Sequence, residues 1–270
     1  MTPSKAPAII TLTTDFGLSD HYAGTMKGVL LSRCPGAQIV DISHEIPKFS
    51  IAAGAYTISQ AAPYFPAGTV HVVVVDPGVG TARRAILVEA IDQVFIAPDN
   101  GVLSLTAARD AGARAREITN RSLWLPSPSH TFHGRDIFAP VAAALASGTA
   151  QPAEAGPVIE QIEQLTGFEP ERTGENTWRG KILSVDHFGN IVTNFPSSAF
   201  PQIARATFQL ELGNREIRHF QNTFGSASPD LCFAYFGSAG YVELGMNRRS
   251  AAAFLGVGPE ETVLLRVTIG

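Results

Sequence analysis

Residues Thr69 to Asp76 read TVHVVVVD, fenced by Gly68 and Pro77. Five valines in the six positions 70 to 75 leave no polar alternation. A strand with one wet face alternates, so this one is expected in the middle of a sheet covered on both sides, as in α/β layer folds. The text on either side agrees. Upstream, AIITLTT (Ala8 to Thr14) is a second buried strand ending at Asp15. After the turn DFGLSD, Ser19 is placed to cap a helix with an apolar face of Tyr22, Met26, Val29 and Leu30, stopped by Pro35 and Gly36. AQIVDIS (Ala37 to Ser43) is a strand and SIAAGAYTISQAA (Ser50 to Ala62) a helix. Downstream, AILVEA and QVFIAP pair antiparallel around Ile91 and Asp92. A helix from about Leu103, a short strand at ARAREI and a helix after Phe132 (GRDIFAPVAAALASG) complete the first unit.

From Gly148 to Asn176 the composition turns to Pro, Glu, Gln and Gly with weak periodicity, which predicts a linker over 151–175. Beyond it come short strand-like segments separated by turn signals: WRGKILSVD, NIVTNF, ATFQLEL, REIRHF, LCFAYF, YVELGM and ETVLLRVTI. The expected fold is an α/β domain over 1–150, a central mostly parallel sheet with flanking helices, followed by a small all-β barrel-like domain over 176–270.

Composition narrows the function classes. A hydrophobic fraction of 45% with 16% charged residues is that of a globular protein, and no apolar run is long enough to span a membrane. The N-terminus MTPSKAPAII has no secretory pattern, which points to the cytoplasm. Cys34 and Cys232 are far apart, so neither a disulfide framework nor a thiolate zinc site is supported. A net charge of −4 argues against a nucleic-acid partner and for a small-molecule substrate.

In open α/β sheets ligands bind beyond the carboxyl ends of the strands, and Asp15 and Asp76 stand where strands run out. The tripeptide Asp15-Phe16-Gly17 has no kinase context around it. Asp15 and Asp20 are suited either to a ligand diol or to a turn and helix cap. The stretch DPGVGTARR (Asp76 to Arg84) lacks the final glycine of a dinucleotide loop and the GK[ST] of a P-loop. It does hold a carboxylate and a guanidinium seven residues apart, able to fold back and pair. His133, in FHGRD, falls at a helix N-terminus, where the dipole favours the neutral ring. His130 and His133 make an HxxH spacing, but no further ligand pattern accompanies it, so no metal is expected. In the β-rich part, Asp186 to Asn190 (DHFGN) with Thr193 and Asn194, and Gly237 to Glu243 (GSAGYVE) with Asn247, are turns or ligand contacts.

Taken in order, six motifs resemble one family: TTDFGLSDHYAGTMKG at 13–28, VVDPGVGTARR at 74–84, APDNGVL at 97–103, TFHGRDIFAP at 131–140, DHFGNIVTN at 186–194 and GSAGYVELGMN at 237–247. They resemble the S-adenosylmethionine hydroxide adenosyltransferases, relatives of the adenosyl-fluoride and adenosyl-chloride synthases. The resemblance implies an α/β domain, a β-barrel, and a homo-trimer with sites shared between subunits. It implies S-adenosylmethionine as substrate, adenosine and methionine as products, and no cofactor. By position it makes Asp76, Arg83 and His133 the residues of the hydroxide-using branch. It assigns Asp15 to the ribose hydroxyls, Asp186 to the methionine ammonium, Asn190 to the adenine edge and Ser238 to the methionine carboxylate. Asp20, Phe49, Tyr241, Glu243, Asn247 and Arg248 fall among its ligand-binding positions. At Ala239 the chain departs from the halogenating members, which carry Arg there.

The chemistry suits these residues. Departure of a sulfonium leaves a neutral thioether that needs no general acid, so the task is to prepare the nucleophile. Asp76 can accept a hydrogen bond from the attacking water, and Arg83 can hold Asp76 in place. A guanidinium beside a carboxylate weakens it as a base, which favours positioning over outright proton abstraction. A binding protein that does not turn the ligand over would not require all three groups. Asp76 and Gly134 speak against a halogenating enzyme, and a zinc hydrolase would show bound metal once purified.

Overall fold

The computed structural model of the chain describes residues 7–268. Residues 1–6, which carry the start of the N-terminal segment, and Ile269 of the last predicted strand lie outside the described residues. The chain forms two compact units that meet in sequence at Leu165 and Thr166.

The first unit holds seven strands: β1 (Ile9–Thr14), β2 (Gln38–Ser43), β3 (Val70–Val74), β4 (Ala85–Ala90), β5 (Gln93–Pro98), β6 (Arg114–Glu117) and β7 (Val158–Ile159), in the order β2-β1-β3-β5-β4-β6-β7. Pairing is parallel from β2 through β5 and antiparallel from β5 through β7, so the sheet is mixed rather than mostly parallel. The physical reason is the two-residue turn at Ile91 and Asp92, whose φ values of 49° and 59° reverse the chain as a tight hairpin. The carboxylate of Asp110 accepts the Ile91 N–H at 2.8 Å and fixes that turn.

The valine run occupies the interior of the sheet, as its composition demands. Val72 and Val74 pack with Ile10, Leu12 and Ile96 against α1 (Tyr22–Arg33) and α4 (Ala139–Ser147), through Met26, Leu30, Val141 and Ala142. Val73 faces the other way, with Ile86, Phe95 and Ala97, against Ile58 and Ala62 at the end of α2 (Ile51–Ala61). His71 shares that strand and is fully buried. It is held by Thr11 Oγ1 at 2.6 Å on Nδ1 and Gln93 Oε1 at 3.0 Å on Nε2, and stacks on Phe95.

Several boundaries differ from the sequence reading. α1 starts at Tyr22 with His21 at its cap, and no side chain caps it, so Ser19 belongs to the preceding turn. The helix expected from Leu103 is a single turn, α3 (Ser104–Ala107), ended before Gly112. The predicted linker is largely built into the fold. Pro152–Glu154 forms a 3₁₀ turn, β7 pairs with β6, and Asp99 holds the Glu163 N–H at 2.8 Å. No described helix is long and apolar enough to cross a membrane. Cys34 and Cys232 are buried free thiols, and burial pushes the Cys232 pKa up to about 11.

The second unit is an antiparallel sheet of β8 (Glu171–Gly174), β9 (Thr177–Val185), β10 (Ile191–Pro196), β11 (Thr207–Leu212), β12 (Arg215–Ile217), β13 (Cys232–Phe236), β14 (Tyr241–Met246) and β15 (Thr262–Thr268), with α5 (Ala251–Leu255) between the last two. Its order is β12-β11-β15-β9-β10-β14-β13, with β8 on β9. The chain just past β12 bonds to Ala234 of β13 through His219 and Gln221, so the sheet curls into a nearly closed, barrel-like form. Alternation sets the inside: Phe208, Leu210 and Leu212 face Val263, Leu265 and Val267 in one core.

Candidate active site

β1 and β3 are adjacent and parallel, so their carboxyl ends bring Asp15 and Asp76 to one edge of the sheet. The turn after Asp76 folds back as the spacing suggested. Arg83 Nε lies 3.1 Å from each carboxylate oxygen of Asp76, and Nη2 donates to Oδ2. Both side chains are more than nine-tenths buried. The same Nη2 lies 2.8 Å from His133 Nδ1. A guanidinium has only donors, so Nδ1 must accept, and the ring proton sits on Nε2. Burial, and then the Arg83 charge, hold the His133 pKa below its ordinary value against the opposing pull of Asp76 and Asp136. The imidazole is therefore neutral at pH 7.

A turn of π-helix, Gly134–Phe138, carries His133 into place ahead of α4. Pro140 explains it. Proline has no N–H for the carbonyl of Asp136, which instead accepts from Leu125 at 2.9 Å, and the widened turn results. The buried Asp136 side chain takes Arg135 Nε at 2.6 Å and the Ser129 N–H at 2.8 Å, tying the segment before His133 to the helix. Gly80 (φ 80°) runs so close to this segment that a Cβ would lie 2.5 Å from the His130 carbonyl oxygen. Only glycine fits there.

Asp76 and His133 border a cavity of about 480 Å³, with Arg83 behind them and outside its lining. Asp15, Asp76, Phe49 and His133 all line it, with Lys48 at its rim. Asp15 Oδ2 accepts the Phe49 N–H at 3.0 Å, which holds Phe49 in a left-handed conformation (φ 66°), and the residue is 69% exposed. Asp20 is exposed and is not part of the lining. The chemistry calls for apolar walls, and the structure builds one from residues that the sequence did not single out for it: Phe16, Tyr22 and Phe132 pack on one another with centroids 5.2 to 6.0 Å apart. Tyr22, expected in the helix core, is 41% exposed and lines the cavity instead. The signal was present, since Phe16 and Phe132 lie inside motifs read only for their charges. His130 and His133 have no third ligand beside them, and no cluster of three or more potential ligands occurs among the described residues.

In the second unit the predicted residues fall into two groups. Asp186 closes its own turn: Oδ1 accepts the N–H groups of Phe188 and Asn190 at 2.9 and 2.8 Å, and Oδ2 accepts Asn190 Nδ2 at 2.8 Å. Asn190, Asn247 and Arg248 line a cavity of about 530 Å³ with Phe188, a residue 76% exposed. Arg248 has a φ of 57°, and Asn247 Nδ2 reaches the Ala227 carbonyl at 3.3 Å. Ser238, Tyr241 and Glu243 lie instead at the β13–β14 hairpin. Glu243 accepts the Tyr235 hydroxyl at 2.6 Å, and burial raises its pKa. Ser238 is exposed.

Comparison with known proteins accounts for both units. Residues 10–156 match the SAM hydroxide adenosyltransferase N-terminal domain and residues 180–264 its C-terminal domain. An (R)-S-adenosyl-L-methionine hydrolase of Salinispora tropica is 42% identical over 97% of this chain and 98% of its own. A fluorinase of an Actinoplanes species is 28% identical over 71% of this chain and 73% of its own. The crystal structure of an uncharacterized conserved protein from Thermotoga maritima superposes with a TM-score of 0.85 at 36% identity, covering 95% of this chain and 99% of that one. Motifs, fold and comparisons agree, and the chain belongs to the SAM hydroxide adenosyltransferase family.

Proposed function

We propose that this enzyme hydrolyses (R)-S-adenosyl-L-methionine to adenosine and L-methionine by in-line attack of water at the ribose C5′. The observation that carries the reading is the buried line Asp76–Arg83–His133 beside an aromatic-walled cavity. The oxygen–C5′ bond forms as the C5′–sulfur bond breaks, and the electron pair leaves on sulfur as the neutral thioether. The water is oriented from both sides: the Asp76 carboxylate accepts one O–H, and the neutral His133 ring, carrying its proton on Nε2, donates to the oxygen. This leaves one lone pair to point at carbon. His133 is not the base, because its Nδ1 is already engaged by Arg83. Asp76, held by Arg83, positions the water rather than acting as a strong base, and the attacking oxygen loses its proton to solvent as the new bond forms. No metal and no cofactor take part.

Asp15 grips the ribose diol with the oxygen not used by Phe49, and Phe16, Tyr22 and Phe132 provide the dry wall against which charge neutralisation is favoured. Incubation of the protein with each sulfonium epimer in heavy-oxygen water, with EDTA present, tests this. The (R) epimer should give adenosine labelled at its 5′-hydroxyl, with no halogenated nucleoside when chloride is added. Label missing from that hydroxyl, or activity that vanishes with chelator and returns with zinc, would overturn the mechanism.

The ligand set is divided between the two units, and each half-site exposes an aromatic ring, Phe49 in one and Phe188 in the other. This supports an assembly in which the α/β unit of one subunit meets the barrel of the next, and we infer that the assembly is a homo-trimer working in the cytoplasm. Asp186 and Ser238 then receive the methionine ammonium and carboxylate, Asn190, Asn247 and Arg248 face the adenine, and Tyr241 and Glu243 shape the hairpin beside them. Mixing inactive Asp76→Ala and Asp186→Ala subunits at equal amounts should restore about one quarter of wild-type activity, the chance that a site draws both intact halves. Sites built within one chain would restore none.

A further inference from the structure

The APDNGVL segment, residues 97–103, belongs to the motifs that define the resemblance, yet its acid and amide do not line the cavity. Their placement follows from the strand order. β5 lies between β3 and β4, so the loop 76–84 that carries Asp76 and Arg83 must pass over the end of β5, and the turn at the end of β5 sits directly against both of its feet.

We propose that Asp99 and Asn100 are positioning residues for catalysis, one clamping each foot of the Asp76–Arg83 loop; this rests on the hydrolytic reading above. Asn100 Nδ2 donates to the carbonyl of Val75 at 2.9 Å, the residue before Asp76. Asp99 Oδ2 accepts Arg84 Nε at 2.7 Å, and the Asp99 N–H donates to the Arg84 carbonyl at 2.9 Å, the residue after Arg83. The two clamps are consecutive in sequence and the two clamped residues are the immediate neighbours of the catalytic pair. Asp99 is only 4% exposed, which makes its ion pair with Arg84 costly to break and its geometry stiff. On the far side of the first foot there is no room to retreat, because Val75 packs on Gly54, where even a Cβ would lie 2.9 Å from the valine. A carboxylate and a guanidinium that must orient one water gain from such restraint, since misplacement by a fraction of an ångström lowers the population of the reactive geometry.

Two isosteric substitutions test the clamp. Asn100→Asp keeps the acceptor that Asn100 Oδ1 offers the Val102 N–H at 3.2 Å, loses the donor to Val75 and sets a carboxylate oxygen against that carbonyl instead. Asp99→Asn keeps the shape and removes the charge facing Arg84. Each should lower kcat on the order of 10-fold with KM within a factor of about two. A core variant away from the site, Ile58→Val, chosen for an equal drop in melting temperature, should keep kcat.

The second readout needs no turnover. The His133 ring, titrated by NMR in the wild type and the variants, is held down by burial, Arg83 and His130 and pulled up by Asp76 and Asp136. Loosening the loop moves Arg83 away and lets water in, so the ring should titrate closer to its ordinary value. The kcat of either folded variant decides the matter together with the titration in Asp99→Asn, because the carboxylate that Asn100→Asp adds would itself raise the ring's pKa. Unchanged kcat together with an unchanged His133 titration overturns the clamp. A shifted titration in a protein that does not cleave S-adenosylmethionine keeps the clamp and refutes the hydrolytic reading instead.

Discussion

Asp76→Asn should lower kcat on the order of 10²-fold or more while leaving KM for the (R) epimer within a factor of about two. The amide keeps the size of the carboxylate but lacks the charge that aligns one O–H of the water. That interaction grows as the oxygen approaches C5′, so its loss falls on the transition state. Asp15→Asn should behave in the opposite way, raising KM with a smaller change in kcat, because a ribose contact is present before and during reaction. Arg83 is held by two partners, Asp76 and His133, so the amide variant still has a partner in place. Steady-state kinetics with a melting curve for each variant separate these outcomes. Full kcat in Asp76→Asn would leave the carboxylate with a structural role and the water to His133 alone.

The largest pH effect on stability should come from His71. Burial lowers its pKa from 6.5 to about 4 in the folded chain. An imidazole whose folded pKa is depressed favours folding in its neutral form. The contribution is intact above pH 6.5 and is lost as pH falls towards 4, because the unfolded chain takes up the proton first. The shift corresponds to about 3 kcal/mol, lost mostly by pH 4.5. Thr11 and Gln93 satisfy both ring nitrogens of the neutral form, so neither nitrogen is left to an acidic partner that would hold a charged one. Denaturant unfolding at pH 7.5 and pH 4.5 checks this against His71→Gln, which should lose less stability over the same interval. Equal losses in the two proteins would remove His71 as the sensor.

Much of this architecture is legible in the amino-acid sequence itself. The valine run could only be an interior strand, and the ends of Ile9–Thr14 and Val70–Val74 could only point Asp15 and Asp76 to a common edge once the two strands were parallel neighbours. The seven-residue separation of Asp76 and Arg83 was enough to suggest a fold-back pair. Other features depended on information that local patterns do not carry. The antiparallel β4–β5 pair is announced by the turn at Ile91 and Asp92, but the insertion of β5 between β3 and β4 is announced by no residue in either strand. The segment 151–175 read as a linker because Val158 and Ile159 are too few to show a period, yet two residues suffice to extend an existing edge. The π turn required knowing that Leu125 would take the carbonyl Pro140 leaves free. The aromatic wall was hidden for a different reason: a Phe in an apolar segment looks the same whether it faces a core or a ligand.

The insertion of β5 between β3 and β4 also bears on how the chain must fold. β3 and β4 leave the ribosome before β5, with only residues 75–84 between them, yet their final places are two strand spacings apart, about 10 Å. The sheet therefore cannot grow in the order of synthesis. Any early pairing of β3 with β4 has to open so that the later strand can enter, and the loop bearing Asp76 reaches its working shape only when that entry is complete. The Asp76–Arg83 loop therefore takes its working shape only after β5 has entered, and a nascent chain that stops short of residue 98 holds Asp76 and Arg83 without the strand that sets them.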